Sequence, residues 1–259
     1  MVQCVRRDRP PMSKHFELMQ QLENDLELGP EPARLPLSPS PETKQESNGR
    51  KRWASEEALR LVQQIFFLQT QETPRVVVFA GIDHGNGCSQ VCVSVAETLA
   101  KTTRKPICLV EANFRSPALP ELFGTTNHHG LIEALLQNGP ISSFAKIVTQ
   151  DNLWLLSSGT LAPDSPNLLA SEQLRGRLDE LRQGFEFVII DAPPLIRYSD
   201  AMVLGQLSDG LVLILEAEST RRDAASVVAS TLRSARVPIL GAVLNKRTFP
   251  IPEKIYSRL

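Results

Sequence analysis

The sequence predicts an α/β domain: a doubly wound, mostly parallel sheet with helices on both faces, preceded by a flexible N-terminal extension. Three observations carry this reading. Short, nearly continuous apolar runs bounded by turn residues recur between residues 75 and 245, as they do in strands buried on both faces. Amphipathic stretches of helical period separate most of them, which is the alternation that parallel crossovers require. The first run, Arg75-Val-Val-Val-Phe79, opens through Ala80 into Gly81-Ile-Asp-His-Gly85-Asn-Gly87-Cys-Ser-Gln90, a loop with little side-chain bulk ahead of a helical pattern.

Bulk properties fit one such domain and a tail. The chain has 259 residues, 42% of them hydrophobic, enough for one sizeable core, and the composition divides it into an extension over 1–50 and a folded domain over 51–259. A net charge of −1 favours neither nucleic acid nor an anionic membrane surface as partner. No apolar stretch approaches the ~20 residues of a bilayer span. Residues 1–11 are basic without a following apolar run, which argues against a signal peptide, and Met12 is an alternative first residue. The expected location is the cytosol. Cys4, Cys88, Cys92 and Cys108 lack C-x-x-C spacing, so reduced thiols are expected rather than disulfides or zinc.

In chain order, Phe16, Met19, Leu22 and Leu26 predict an amphipathic helix over Ser13–Leu28. Its acidic polar face suits docking against protein better than lipid. Residues 29–50 are rich in Pro, Ser, Glu and Asn and read as a linker. Ala58, Leu61, Val62, Ile65 and Phe66 restore helical period over Ser55–Gln69, ahead of the first strand. Five further strands are expected at Pro106–Glu111, Leu153–Ser157, Phe185–Asp191, Leu211–Leu215 and Ile239–Leu244. Helices are expected after the glycine loop and at Gly130–Gln137, Glu172–Arg182 and Thr220–Ser234. In such a sheet ligands bind beyond the strand C-termini, where Gly85–Ser89, Glu111, Asp191 and Asn245 all fall.

A glycine loop at a helix N-terminus cradles anions, because unpaired N–H groups and the helix dipole point into it. A working P-loop then supplies a lysine for the phosphates and a Ser or Thr for magnesium. Ser89 is present, but the lysine position holds Cys88. Asp191 closes the apolar run Phe-Val-Ile-Ile-Asp, the Walker B arrangement in which a carboxylate accepts from magnesium-bound water. Together the two motifs predict a P-loop NTPase fold. A thiol at a helix N-terminus admits two readings, an oxidisable thiolate or a small neutral filler.

Further motifs narrow the reading. Cys108-Leu-Val-Glu-Ala-Asn-Phe-Arg-Ser-Pro117, with Glu121-Leu-Phe-Gly124, resembles the second Walker motif of the bacterial tyrosine kinases of capsule and exopolysaccharide synthesis. Pro166-Asn-Leu-Leu-Ala-Ser171, Asp191-Ala-Pro-Pro194, Ser199-Asp-Ala201 and Gly241-Ala-Val-Leu-Asn245 match that family in order and spacing. The resemblance covers roughly residues 55–250, with a more distant likeness to septum-site and partition ATPases.

The resemblance implies ATP and Mg2+ as ligands, with Gly85, Asn86, Gly87, Cys88, Ser89, Gln90, Arg115 and Asn245 at the nucleotide, Ser89 and Asp191 at the metal, and Glu111 and Asp191 as catalytic carboxylates. It also shows where the site departs from the family. Cys88 replaces the lysine, Asp83 stands where partition relatives carry a second lysine, and Glu111 and Asn113 replace two aspartates. Losing a hydrogen bond to a charged group costs ~1.5–3 kcal/mol, or roughly ten- to a hundredfold in affinity.

The family's acceptor tyrosines reduce here to Tyr256, since Tyr198 lies beside the Pro-Pro loop. Its ring-forming Glu-x-x-Arg-x-x-Arg motif appears as Glu57, Arg60 and Gln63, without the last arginine. The expected function is therefore a kinase-like regulator of polysaccharide polymerisation or export with weak phosphoryl transfer. The alternatives are an active autokinase using Arg115, Arg222 or a neighbouring chain's lysine, and a partition-type switch. The resemblance further implies a membrane-embedded chain-length regulator as partner, with homo-oligomers or a paralogous kinase as other candidates and no nucleic acid.

Overall fold

The structure is a computed structural model that describes residues 56–68, 73–150, 152–162 and 164–247. The expected helix over Ser13–Leu28, the linker over 29–50 and Tyr256 lie outside the described residues.

Helix α1 covers residues 56–62 and runs on into a π-helical turn, Gln63–Phe67. Strand β1 is Val76–Gly81, and α2, Cys88–Thr103, follows the glycine loop. Then come β2 Ile107–Glu111, the short α3 Leu119–Leu122, α4 Leu131–Leu136, β3 Lys146–Ile147 and β4 Leu153–Leu156. The chain continues through α5 Glu172–Gly184, β5 Phe187–Ala192, α6 Asp200–Leu207, β6 Gly210–Glu216, α7 Arg222–Ser234 and β7 Ile239–Asn245.

The strands form one sheet in the order β3-β4-β2-β5-β1-β6-β7. All neighbours are parallel except β3 against β4. The six expected strands are thus the parallel ones. The unexpected seventh, β3, is two exposed residues with no apolar alternation to announce them.

Strand alternation sorts the core into two layers. Val77, Phe79, Ile107, Leu109, Phe187, Ile189, Val212 and Ile214 pack against Val62, Ile65 and Phe66 of α1 and Cys92, Val95, Ala96 and Leu99 of α2. The other residues of the same strands, among them Val76, Val78, Cys108, Val188 and Ile190, meet α4, α5, α6 and α7 through Leu131, Leu174, Leu178, Leu204 and Leu232. Helices therefore cover both faces, as expected. Helix α6 was not anticipated, because Ala201-Met-Val-Leu204 is apolar without a helical stripe.

One carboxylate fixes where β1 enters the sheet. Asp209, just before β6, accepts from the backbone N–H groups of Arg75 (2.7 Å) and Val76 (2.8 Å), and pairs with Arg182 at 2.9 Å. Partial burial works against its charge, but the Arg182 guanidinium and the two N–H groups hold its carboxyl below the ordinary range. Its contribution is present above the unfolded value near ~3.9 and disappears as pH falls through the lower folded value. Asp209→Ala should therefore lower stability by about 1–2 kcal/mol at pH 7, after allowance for solvent screening. In urea melts the gap from wild type should close as pH falls below about 4.

Candidate nucleotide site

Sheet parity determines what lies beneath the glycine loop. Asp191 and Glu111 share the parity of Phe187, Ile189, Ile107 and Leu109, so both carboxylates face the α2 layer. The registers Phe79↔Asp191 and Glu111↔Asp191 place Asp191 between the β1 loop and β2, at the C-terminal ends of the central strands.

The loop is strapped from three directions. Gly85 and Gly87 take positive φ, 82° and 79°. Asn86 is buried, and its Oδ1 accepts from the Asp83 N–H at 2.7 Å while its Nδ2 donates to Glu216 Oε2 at 3.2 Å. Asn245 Nδ2, at the end of β7, donates to the Asn86 carbonyl at 2.8 Å. A Cβ at Gly87 would run into that same Asn245 amide. Among the described residues, the N–H groups of Gly85, Asn86 and Gly87 donate to no protein acceptor, so they remain available to an anion.

The charged groups expected at the phosphates have partners of their own. Asp83 turns outward: it is half-exposed, accepts from the His84 N–H and pairs with Arg197 at 3.2 Å, contacts that hold its carboxyl below the usual range. Its charge is met by Arg197. Arg115 pairs with Asp200 at 3.1 Å and lies 3.9 Å over the Tyr198 ring. Glu111 is fully buried, and its oxygens accept from the N–H groups of Asn113 (3.1 Å), Ala118 (2.8 Å) and Leu119 (2.9 Å), which ties down the loop into α3. Burial and the neighbouring Asp191 charge nonetheless raise its carboxyl well above the usual range. Gln90 is exposed on the first turn of α2.

Asp191 differs from Glu111 in lacking partners. It is buried, and no donor meets either oxygen at hydrogen-bonding geometry. Burial pushes its carboxyl up to about 6, although the nearby Ser89 hydroxyl and the Cys88 and Cys92 thiols favour its charged form. Cys88 faces that carboxylate. The Cys92 thiol favours the Cys88 thiolate, but burial and the charges of Asp191 and Glu111 outweigh it and push Cys88 up to about 12. That shift favours the neutral filler of the two readings over the thiolate.

Two residues that sequence reasoning did not single out complete the site. Cys92 stands one helical turn after Cys88, a spacing visible in the sequence. Lys246 follows Asn245; its Cε would lie 3.9 Å from a Cβ at Gly87, and its Nζ pairs with Glu216 Oε1 at 3.1 Å. Its proximity to the loop depends on a long-range pairing, β7 on β6, that no local pattern shows.

A glycine loop between the central strand and a helix, with a strand-terminal Asp on the neighbouring strand, defines a P-loop NTPase fold. The homologues of this chain are bacterial tyrosine kinases, and its structural neighbours are kinase domains of that family together with partition and septum-site ATPases. Tyrosine-protein kinase YwqD of Bacillus subtilis is 26% identical over 181 residues, 70% of this chain and 76% of the relative. The putative tyrosine-protein kinase CapB of Staphylococcus aureus is 26% identical over 182 residues, 70% and 79% of the two chains. The BceF tyrosine kinase domain superposes with a TM-score of 0.64 at 26% identity over 73% of this chain and 76% of that one. The septum site-determining protein MinD of Pyrococcus horikoshii, solved with Mg-ADP, gives 0.57 at 18% identity over 71% and 76%, a likeness of fold alone. No protein-family model matches the chain. Among the described residues no helix is long and apolar enough to cross a membrane.

The orphaned carboxylate has a measurable signature. Asp191 keeps its proton between about pH 4 and pH 6 in the folded state but not in the unfolded chain, so stability in chelator should fall as pH rises through that window. At ~1.4 kcal/mol per pH unit the share due to Asp191 is of order 3 kcal/mol, and Asp191→Asn should remove that share while the raised Glu111 carboxyl keeps its own. Urea melts of both proteins at four pH values check this.

Proposed function

We propose that the chain is a tyrosine-kinase-like P-loop protein that helps regulate exopolysaccharide or capsule polymerisation or export, with weak nucleotide binding and little or no phosphoryl transfer. The carrying observation is Cys88: where a phosphate-binding lysine would stand, a neutral thiol faces the buried carboxylates of Asp191 and Glu111. The backbone still fits an anion, since the N–H groups of Gly85, Asn86 and Gly87 are free, and Ser89 and Asp191 would hold magnesium with it. Among the described residues, the candidate cations for the cradle have other partners. Arg115 is engaged by Asp200 and Tyr198, and Lys246 by Glu216.

Such a protein acts through surfaces rather than turnover. The exposed face of α1 carries Glu57, Arg60 and Gln63, the positions that resemble the family's ring motif. The family resemblance supports a membrane-embedded chain-length regulator as partner, with the chain recruited to the inner face of the membrane. Calorimetry of MgATP binding before and after Cys88→Lys tests the phosphate site. The substitution should tighten binding roughly ten- to a hundredfold, and unchanged affinity would mean that the loop no longer cradles phosphate.

One observation favours the active autokinase as a second reading. Lys246 sits beside Gly87, so release from Glu216 would bring an ammonium to the loop. Incubation with labelled ATP and magnesium separates the readings. No label is expected; label that vanishes in Tyr256→Phe and in Lys246→Met would establish the autokinase.

A further inference from the structure

The buried end of α2 carries a chemistry that phosphate binding does not use. Cys88 and Cys92 are four residues apart on α2, so their thiols leave the helix on the same face. Strand β5 brings Asp191 against them. Both Sγ atoms and an Asp191 carboxylate oxygen lie within 4.8 Å of one another. Cys92 and Asp191 are buried, while Cys88 is half-buried and opens the cluster towards the loop. Asp191 brings a second, independent indication: it is 1% exposed, and neither oxygen has a hydrogen-bond donor. Buried carboxylates without a donor are rare because they forgo solvation with no replacement, so each calls for an explanation, and a bound cation is a common one.

We propose that Cys88, Cys92 and Asp191 form a binding site for a thiophilic divalent cation, with Zn2+ as the ion that suits the donor set. A thiol pair at i and i+4 offers two donors from one helix face, as the two histidines of a helical zinc motif do. The carboxylate is the third donor, and the open side towards Cys88 leaves a fourth position for water. Zinc bond lengths of ~2.3 Å to sulfur and ~2.0–2.2 Å to oxygen place tetrahedral donors about 3.5–3.8 Å apart, so the cluster needs to contract by roughly an ångström.

Mg2+ and Ca2+ do not suit the set, since both demand oxygen donors and two of the three here are sulfur. Each thiol loses its proton to solvent on coordination, so the ion exchanges for two protons, and for a third where Asp191 is protonated. The resulting local charge of −1 lies at the positive end of the α2 dipole. None of this depends on nucleotide binding.

The test uses the full chain, reduced with a phosphine, stripped with chelator and then titrated with Co2+ in the absence of nucleotide. The expected result is uptake of about one equivalent, thiolate-to-cobalt charge-transfer absorption with tetrahedral visible bands, and bleaching of both by an equivalent of Zn2+. Titration with Zn2+ in weak buffer should release about two protons per ion. The absorption should persist in Cys4→Ser/Cys108→Ser, disappear in Cys88→Ser and in Cys92→Ser, and require at least about tenfold more cobalt in Asp191→Asn.

A reduced wild-type protein that takes up no Co2+, or a charge-transfer band that survives Cys88→Ser/Cys92→Ser, overturns the proposal. Should those variants fail to fold, alkylation of the wild type read residue by residue decides: Zn2+ should protect the half-buried Cys88 but not Cys4, and absence of protection overturns it. Because no arm contains ATP, failure here leaves the nucleotide reading untouched, and failure of the ATP calorimetry leaves this one untouched.

Discussion

The structure depends on a carboxylate that the sheet forces into the interior. Asp191 ends β5, the strand between β1 and β2, and its parity turns it under the first turn of α2. A charge placed there has to be met by cations or donors, because solvent cannot reach it. In the P-loop arrangement that need is met by magnesium and by the lysine and hydroxyl of the helix. Here the helix keeps the hydroxyl as Ser89 and presents the thiols of Cys88 and Cys92 in place of a cation. The raised carboxyls of Asp191 and Glu111 and the raised Cys88 thiol are one electrostatic situation: two acids and two thiols brought together where burial disfavours charge.

The surrounding loop is held by a polar scaffold of its own. Asn86, Asn245 and Glu216 hold the loop in the conformation that leaves its backbone N–H groups free, and Gly87 is kept small by the amide packed against it. Glu111 secures the neighbouring loop through three backbone donors, a task that its extra methylene over aspartate suits. The loop therefore keeps the shape of an anion cradle, with Cys88 at the position where a P-loop carries its lysine. This separation of shape from charge is why fold and homology can be plain while catalytic competence is decided by a handful of side chains.

Much of this was readable from residues alone. Six apolar runs gave six parallel strands because strands buried on both faces leave a continuous signature, and the glycine loop and Asp191 fell at strand ends as such sheets demand. Strand β3 escaped notice because two exposed residues carry no pattern, and α6 because Ala201-Met-Val-Leu204 is apolar without a helical stripe. Within the site, chain order could mark Asp83, Arg115 and Glu111 as departures or retentions but not where their side chains turn. Asp83 faces outward to Arg197, Arg115 is taken by Asp200 and Tyr198, and Glu111 is occupied by backbone. Those outcomes depend on pairings across more than a hundred residues for Asp83 with Arg197 (114) and on nearly as many for Arg115 with Asp200 (85). The Cys88–Cys92 pair was visible as spacing, yet its meaning required the partner strand that brings Asp191 to it.

The amide linking Asn245 to the Asn86 carbonyl joins the last strand of the sheet to the loop after the first. Through it, the segment leaving β7 and the anion cradle become one mechanical unit. A rearrangement at the end of β7 would therefore reach the loop through a single amide.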